Sequence, residues 1–574
     1  MSLKLRLLAL LLAIMMILCA FDMPFGQVES TETESESVIT TEKETEAKTE
    51  APKETETETE ESTYRQSISR SREEIESMLT ISDEDFTEAE SLLVYFEEIA
   101  LECTDVDAIN EVYEGFEEKY DYISTQVSVA SIIYYLDMSD EAAYDRYYGS
   151  YDKYGDMYNS YMAHCKKVYE ESPVRDELFA DWTPEEIKML LNFSPETTAL
   201  TLKNDELTDE LNNLGAAEFT DRSAEIYAEI VTNNNKIAAL YGYDNYYDYA
   251  TREIYGRDFG QDELKVFCKI VADEFIPKYS LVYNTVVSNL SRLSESEYNL
   301  FYDILYDPFD ETKNNYLLGY IDSLEGSMKE GMEHIFANRN MVFADAKNSH
   351  PTAFQIYLDD YEMPFCLFGS DGQSAATMVH EIGHYYSSLH NSTLISYDLA
   401  EVQSQGNEML LLDYMRDHIS PKLYRTIESY YAYSNMSTIV ACVLIDEFER
   451  EVYALPSVEG YGSEEFDAIM TSVCERYGGA DFVAEEIGDL YDYWRQVATN
   501  NPVYYISYAV SATSAINIYA ELMVDRASGR EMYRAVVEDV SDNDTFLSAL
   551  EKAGIASPFS EDTAKNLMSV LLGK

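Results

Sequence analysis

Two histidines four residues apart stand in the run His380-Glu381-Ile382-Gly383-His384. On a helix, residues four apart share a face, so the two imidazoles would converge on one cation. The borderline-soft Zn²⁺ suits such ligands. Glu381 lies one residue on, off the line joining the histidines. It would reach a metal-bound water without binding the metal, which is where a general base belongs. Histidine is scarce here, 7 in 574 residues, and the pattern would arise by chance in about one such chain in a hundred. The flanks, Ser374 to Val379 and Tyr385 to Leu389, have the small and apolar residues of a buried helix.

A catalytic zinc needs a third protein ligand and an open position. The segment Asp398 to Leu410 offers Glu401, Ser404 and Glu408 on one helical face. Glu401 and Glu408 are seven residues apart, about 10 Å along a helix axis, so only one of them could reach the metal. The other could accept the far N–H of a ligating imidazole. An acidic face turned to solvent is the competing reading of these residues.

The elements that would hold this chemistry are helical. From Tyr64 onward apolar residues recur every three or four positions, as in Ala224 to Val231 and Asp262 to Val271. One region departs from that period. Ala353 to Leu358 and Phe365 to Phe368 are short aromatic-rich segments joined through Asp359 to Met363, which reads as a β-hairpin with Pro364 at a strand start. A strand edge beside a metal helix could bind an extended peptide through backbone hydrogen bonds. The 49 tyrosines are expected to be half-buried helix residues with wet hydroxyls. The seven cysteines contain no C-x-x-C pair and read as small buried residues.

The N-terminus reads differently. Lys4 and Arg6 precede an apolar run from Leu7 to Phe21, short for a spanning helix and right for a secretory signal or anchor over residues 1–26. Leu18 before Cys19 fits a lipid-attachment motif poorly. Residues 27–63 form a Thr/Glu-rich tether. Its residues 29–63 hold three lysines against thirteen glutamates, a net −10, with Val38 and Ile39 as the only large apolar side chains. Such a composition cannot offset its ordering entropy. That −10 and the +1 of the first 28 residues leave −59 of the chain's −68 on the rest. A charge of that size disfavours nucleic acid and anionic membrane as partners. The expectation is an exported protein, secreted or tethered to the cell surface, with no integral membrane domain beyond an N-terminal anchor. Residues 64–345 would form an N-terminal helical region and residues 346–574 the catalytic region.

The chain resembles the oligoendopeptidase F and thimet-type zinc metallopeptidases, and the oligoendopeptidase F branch most. The resemblance rests on four features in order. They are Tyr241 to Tyr246 followed by Tyr255-Gly256-Arg257-Asp258-Phe259, the His380 to His384 motif with its glycine, Ala400-Glu401-Val402 with Ser404 and Glu408, and Pro502 to Ala509. It implies a mainly α fold of two helical lobes around a deep channel, with a small β-hairpin or sheet beside the zinc helix. It implies an endopeptidase for short oligopeptides carrying one Zn²⁺ per chain. By carry-over, His380, His384 and Glu401 would bind the metal, Glu381 would be the base, and Glu408 would support a ligating imidazole. Tyr508 would donate to the oxyanion, with Tyr504 or Tyr505 assisting at the substrate. Two departures stand out. Gln496 to Asn501 lack the family's histidine, and the gap from His384 to Glu401 is shorter than usual. The first leaves a second reading open, an exported peptide-binding protein with weak or no turnover. A purely structural surface protein is disfavoured by the metal motif.

Overall fold

A computed structural model describes residues 64–572, apart from 181, 213, 215–218, 312–314, 347, 392–395, 487–489 and 542. The targeting run and the tether lie outside the described residues. Among the described residues the protein is helical but for one three-stranded sheet. No helix of these residues is long and apolar enough to cross a membrane.

Three long helices, α1 (Asp83–Glu102), α2 (Val106–Leu136) and α3 (Glu141–Glu171), form the first of two large cores. Asp105 and Asp140 cap α2 and α3 by accepting backbone N–H groups of the first turn. Their shared core is rich in tyrosine, and these rings go deeper than half-burial. Tyr113 and Tyr161 pair their hydroxyls at 2.9 Å, and Tyr120 and Tyr154 at 2.8 Å. A buried phenol must find a partner for its O–H, and here a second phenol supplies it. Elsewhere Tyr227, Tyr279 and Tyr385 are fully buried. Of the six described cysteines, all unbridged, only Cys103 is not buried.

The sheet runs β1 (Met341–Phe343), β3 (Met363–Phe368), β2 (Ala353–Leu358), with β1 parallel and β2 antiparallel to β3. The hairpin is where its composition placed it; the third strand β1 carried no such signal, being only three residues long. Pro364 sits inside β3, opposite Tyr357, and β1 reaches along β3 only to Cys366, so the missing N–H breaks no ladder bond. Period-two alternation divides the sheet between two cores. Val342, Ile356, Leu358, Phe365 and Leu367 face the tyrosine-rich helices. Met341, Phe343, Ala353, Cys366 and Phe368 face a second, larger core.

That second core is built on α4 (Ala375–His390), α5 (Tyr397–His418), α6 (Pro421–Tyr453) and α7 (Ile506–Val524). Ser374, Ser396 and Ser420 cap α4, α5 and α6 through their hydroxyls, and Pro421 opens α6 at a position that needs no N–H. Helix Phe219–Leu240 contains Ala224 to Val231, and helix Gln261–Ile270 holds Asp262 to Ile270, with Val271 opening a π-helical turn that continues it.

Candidate metal centre

Helix α4 presents His380 and His384 toward α5, and close packing of the two helices makes the site possible. A side chain at Gly383 would place its Cβ 2.7 Å from the Ser404 Cα and 2.8 Å from the Gln403 carbonyl oxygen. Both neighbours are backbone and cannot move aside, so only glycine permits this approach. Asn407 donates to the Val379 carbonyl at 2.7 Å and accepts from the Tyr320 hydroxyl, tying α5 to α4 at the same level. Ser387 donates to Gln403 at 2.6 Å one turn further on.

With the helices at this separation, Glu401 of α5 meets both histidines. Its Oε2 lies 3.5 Å from His380 Nε2 and 3.8 Å from His384 Nε2. The three ligand atoms lie within 4.8 Å of one another, and among the described residues this is the one cluster of that kind. Ligands about 2.0–2.1 Å from a tetrahedral Zn²⁺ stand about 3.3 Å apart, so the donor set fits in type and spacing. Glu408 does not join them. Its Oε1 takes the His380 Nδ1 hydrogen bond at 2.8 Å, which turns Nε2 toward Glu401. Glu401 is itself held twice. Ser404 donates to its Oε2 at 3.1 Å and the Tyr504 hydroxyl to its Oε1 at 2.9 Å.

The electrostatics suit a cation. Burial opposes charge on His380, but Glu401 and Glu408 outweigh it and hold the imidazolium well above its ordinary pKa. Burial pushes His384 down to about 4, only partly countered by Glu401. Burial would raise Glu401, yet the hydrogen bond from His380 and the charge of the imidazoles bring it down to about 2. These shifts favour one positive charge, on His380, with His384 neutral and Glu401 ionised beside them. A divalent cation bound here would displace the proton on His380 Nε2, because metal ligands bind deprotonated.

Glu381 is buried, 3% exposed, on the same turn of α4 as the histidines. Tyr504 and Tyr505 are buried and Tyr508 is half-buried; the Tyr508 ring packs 5.3 Å from that of Tyr504 and 5.8 Å from that of Tyr505. Tyr504 thus belongs to the Glu401 side of the site. Its partnership with Glu401 spans 103 residues and left no local trace in the sequence. Helix α4 also packs on the sheet, and Ser388 Oγ donates to Gln355 of β2 at 3.2 Å. β2 is an edge strand, with β3 on one side and no strand beside its other side among the described residues.

No protein-family model and no curated protein sequence matches the chain. Solved structures do. PZ peptidase A, solved with an inhibitor, superposes with a TM-score of 0.66 at 16% identity over 85% of this chain and 97% of that one. A Bacillus anthracis strain Ames protein assigned to oligoendopeptidase F gives 0.64 at 16% identity over 86% and 96%. Oligoendopeptidase F from Enterococcus faecium gives 0.51 at 14% identity over 86% and 98%. The chain has the mainly α fold of the oligoendopeptidase F-like structures, across nearly their full length.

Proposed function

We propose that this protein is a zinc-dependent endopeptidase that hydrolyses short oligopeptides. The observation that carries this reading is the convergence of His380, His384 and Glu401 on one point beside Glu381 and an edge strand. Those three residues would hold the metal, which when bound supplies Lewis acidity and lowers the pKa of water. Glu381 then accepts the proton of the attacking water and returns it to the departing amine. Glu408 keeps His380 in one tautomer and orientation, and Tyr504 fixes the Glu401 carboxylate. Tyr508, the most exposed of the three tyrosines, donates to the oxyanion as it forms, and Tyr505 packs behind it. The substrate lies extended along β2, whose outer backbone groups pair with it. Export by the Leu7–Phe21 run directs this activity to peptides outside the cytoplasm.

The lack of a histidine in Gln496 to Asn501 favours a second reading, a peptide-binding protein of the same fold with weak turnover. Cleavage of an internally quenched peptide library, with and without a chelator and after zinc is restored, separates the two. The endopeptidase reading predicts chelator-sensitive internal cleavage that zinc restores. Tight peptide binding with no cleavage by the zinc-loaded protein would overturn it.

A further inference from the structure

The motif Tyr255-Gly256-Arg257-Asp258-Phe259 plays no part in the chemistry above, yet it touches both halves of the site. The Arg257 side chain is wholly buried. Its Nε lies 3.3 Å from Asp398, itself fully buried in the first turn of α5, three residues before Glu401. The other end of the same guanidinium reaches the segment before α7. Nη1 donates to the Val503 carbonyl at 2.9 Å, and Nη2 to the Ser507 hydroxyl at 2.9 Å and the Tyr504 carbonyl at 3.3 Å. Tyr255 adds a bond from its hydroxyl to the Pro502 carbonyl at 2.7 Å.

The turn so gripped is strained. Val503 has φ 65°, a left-handed conformation that a β-branched residue adopts only when its surroundings impose it. Its N–H is held by Glu449 of α6 at 2.7 Å and its carbonyl by Arg257. This conformation brings the next residue, Tyr504, to Glu401 at 2.9 Å.

We propose that Arg257 is a positioning residue that locks the Tyr504 turn to the first turn of α5, so that the Tyr504 hydroxyl stays on Glu401. The planar fork is what the role needs: it faces a carboxylate on one side and two carbonyls and a hydroxyl on the other, which a lysine ammonium cannot do. This assignment deepens the proposed metallopeptidase reading and rests on it for its consequence, the metal affinity.

The test uses the full chain as wild type, Arg257→Met, Arg257→Lys, Tyr504→Phe and the Arg257→Met/Tyr504→Phe double variant. Competition with a chromogenic zinc chelator reads affinity. Tyr504→Phe and Arg257→Met are each expected to weaken zinc binding by about 10- to 100-fold. The double variant should be no weaker than the weaker single, because both changes break one link. Arg257→Lys should fall between wild type and Arg257→Met. Wild-type affinity in Arg257→Met, or losses that multiply in the double variant, would overturn the assignment. Amide exchange of the metal-free proteins over residues 501–508 is the second arm. It should quicken in Arg257→Met and stay at the wild-type rate in Tyr504→Phe; an unchanged rate in Arg257→Met would also overturn the lock. A wild-type protein that binds no zinc refutes the proposed function alone, and the exchange arm then decides the lock. If Arg257→Met fails to fold because Asp398 is left charged and buried, Arg257→Met/Asp398→Asn removes both charges and carries the same measurements.

Discussion

The helix pair α4–α5 and the turn leading into α7 both serve Glu401, and they are assembled in opposite ways. In the pair, each side chain falls in place from helical periodicity. His380 and His384 are one turn apart, Ser404 is one turn from Glu401, and the glycine that allows the close approach stands inside the motif. In the turn, nothing is periodic. Val503 holds a left-handed backbone, and the bonds that keep it there come from Arg257 and Glu449, 246 and 54 residues away in sequence. The lesson is that a candidate metal site can take its side chains from local structure and their orientation from distant parts of the chain. Changes in the pair should remove a proposed ligand or the base outright, whereas changes in the turn should loosen the hold on Glu401 and so weaken metal binding without abolishing it.

The largest effect that separates the two regions is expected from Glu401→Ala. On the proposed function, this removes one of three metal ligands and should abolish zinc retention through dialysis, read by metal analysis of the purified protein. Retained zinc in that variant would break the comparison, since the pair would not then be the metal site. Glu381→Gln comes next. The near-isosteric amide keeps the metal but cannot take a proton, so kcat should fall by at least about 100-fold with zinc content unchanged. Tyr508→Phe sharpens the contrast from the side of the turn. Losing an oxyanion donor should lower kcat by about 100-fold while zinc affinity stays at the wild-type value. A loss of zinc in Tyr508→Phe would place that phenol among the supports of the metal.

Gly383→Ala has the smallest expected effect, and it probes the pair alone. The added methyl meets backbone at 2.7 and 2.8 Å, and overpacking of this kind costs about 1–3 kcal/mol. Thermal unfolding of the metal-free variant should show the loss. Zinc affinity should fall with it, because α4 and α5 must separate for the methyl to fit. A wild-type melting temperature would mean that the helices are less closely held than their geometry implies.

Much of this was legible in the sequence for a physical reason. Helical and strand periods are properties of neighbouring residues, so the site helices and the β2–β3 hairpin announce themselves over a dozen residues. The pairing of His380 and His384 is such a property, as is the shared face of Glu401, Ser404 and Glu408. The choice between Glu401 and Glu408 was not. Both carboxylates lie on the right face, and how α5 slides against α4, set by Gly383, Asn407 and Tyr320, puts Glu401 on the Nε2 atoms and Glu408 on Nδ1. The three-residue strand β1 is too short to carry a period, and only pairing with β3 makes it a strand.

Sequence by itself therefore determined a mainly helical body, an acidic charge and an H-E-x-x-H helix, because composition and short-range spacing encode those directly. Tertiary structure decided how deep the tyrosines lie and which atoms of Glu401 meet which partners. It also decided that Arg257, 141 residues before Asp398 of α5, bonds both to that carboxylate and to the Val503 carbonyl in the turn before α7. These contacts join residues far apart in the chain, and their geometry exists only once the cores have packed and excluded the water that would otherwise satisfy the same polar groups.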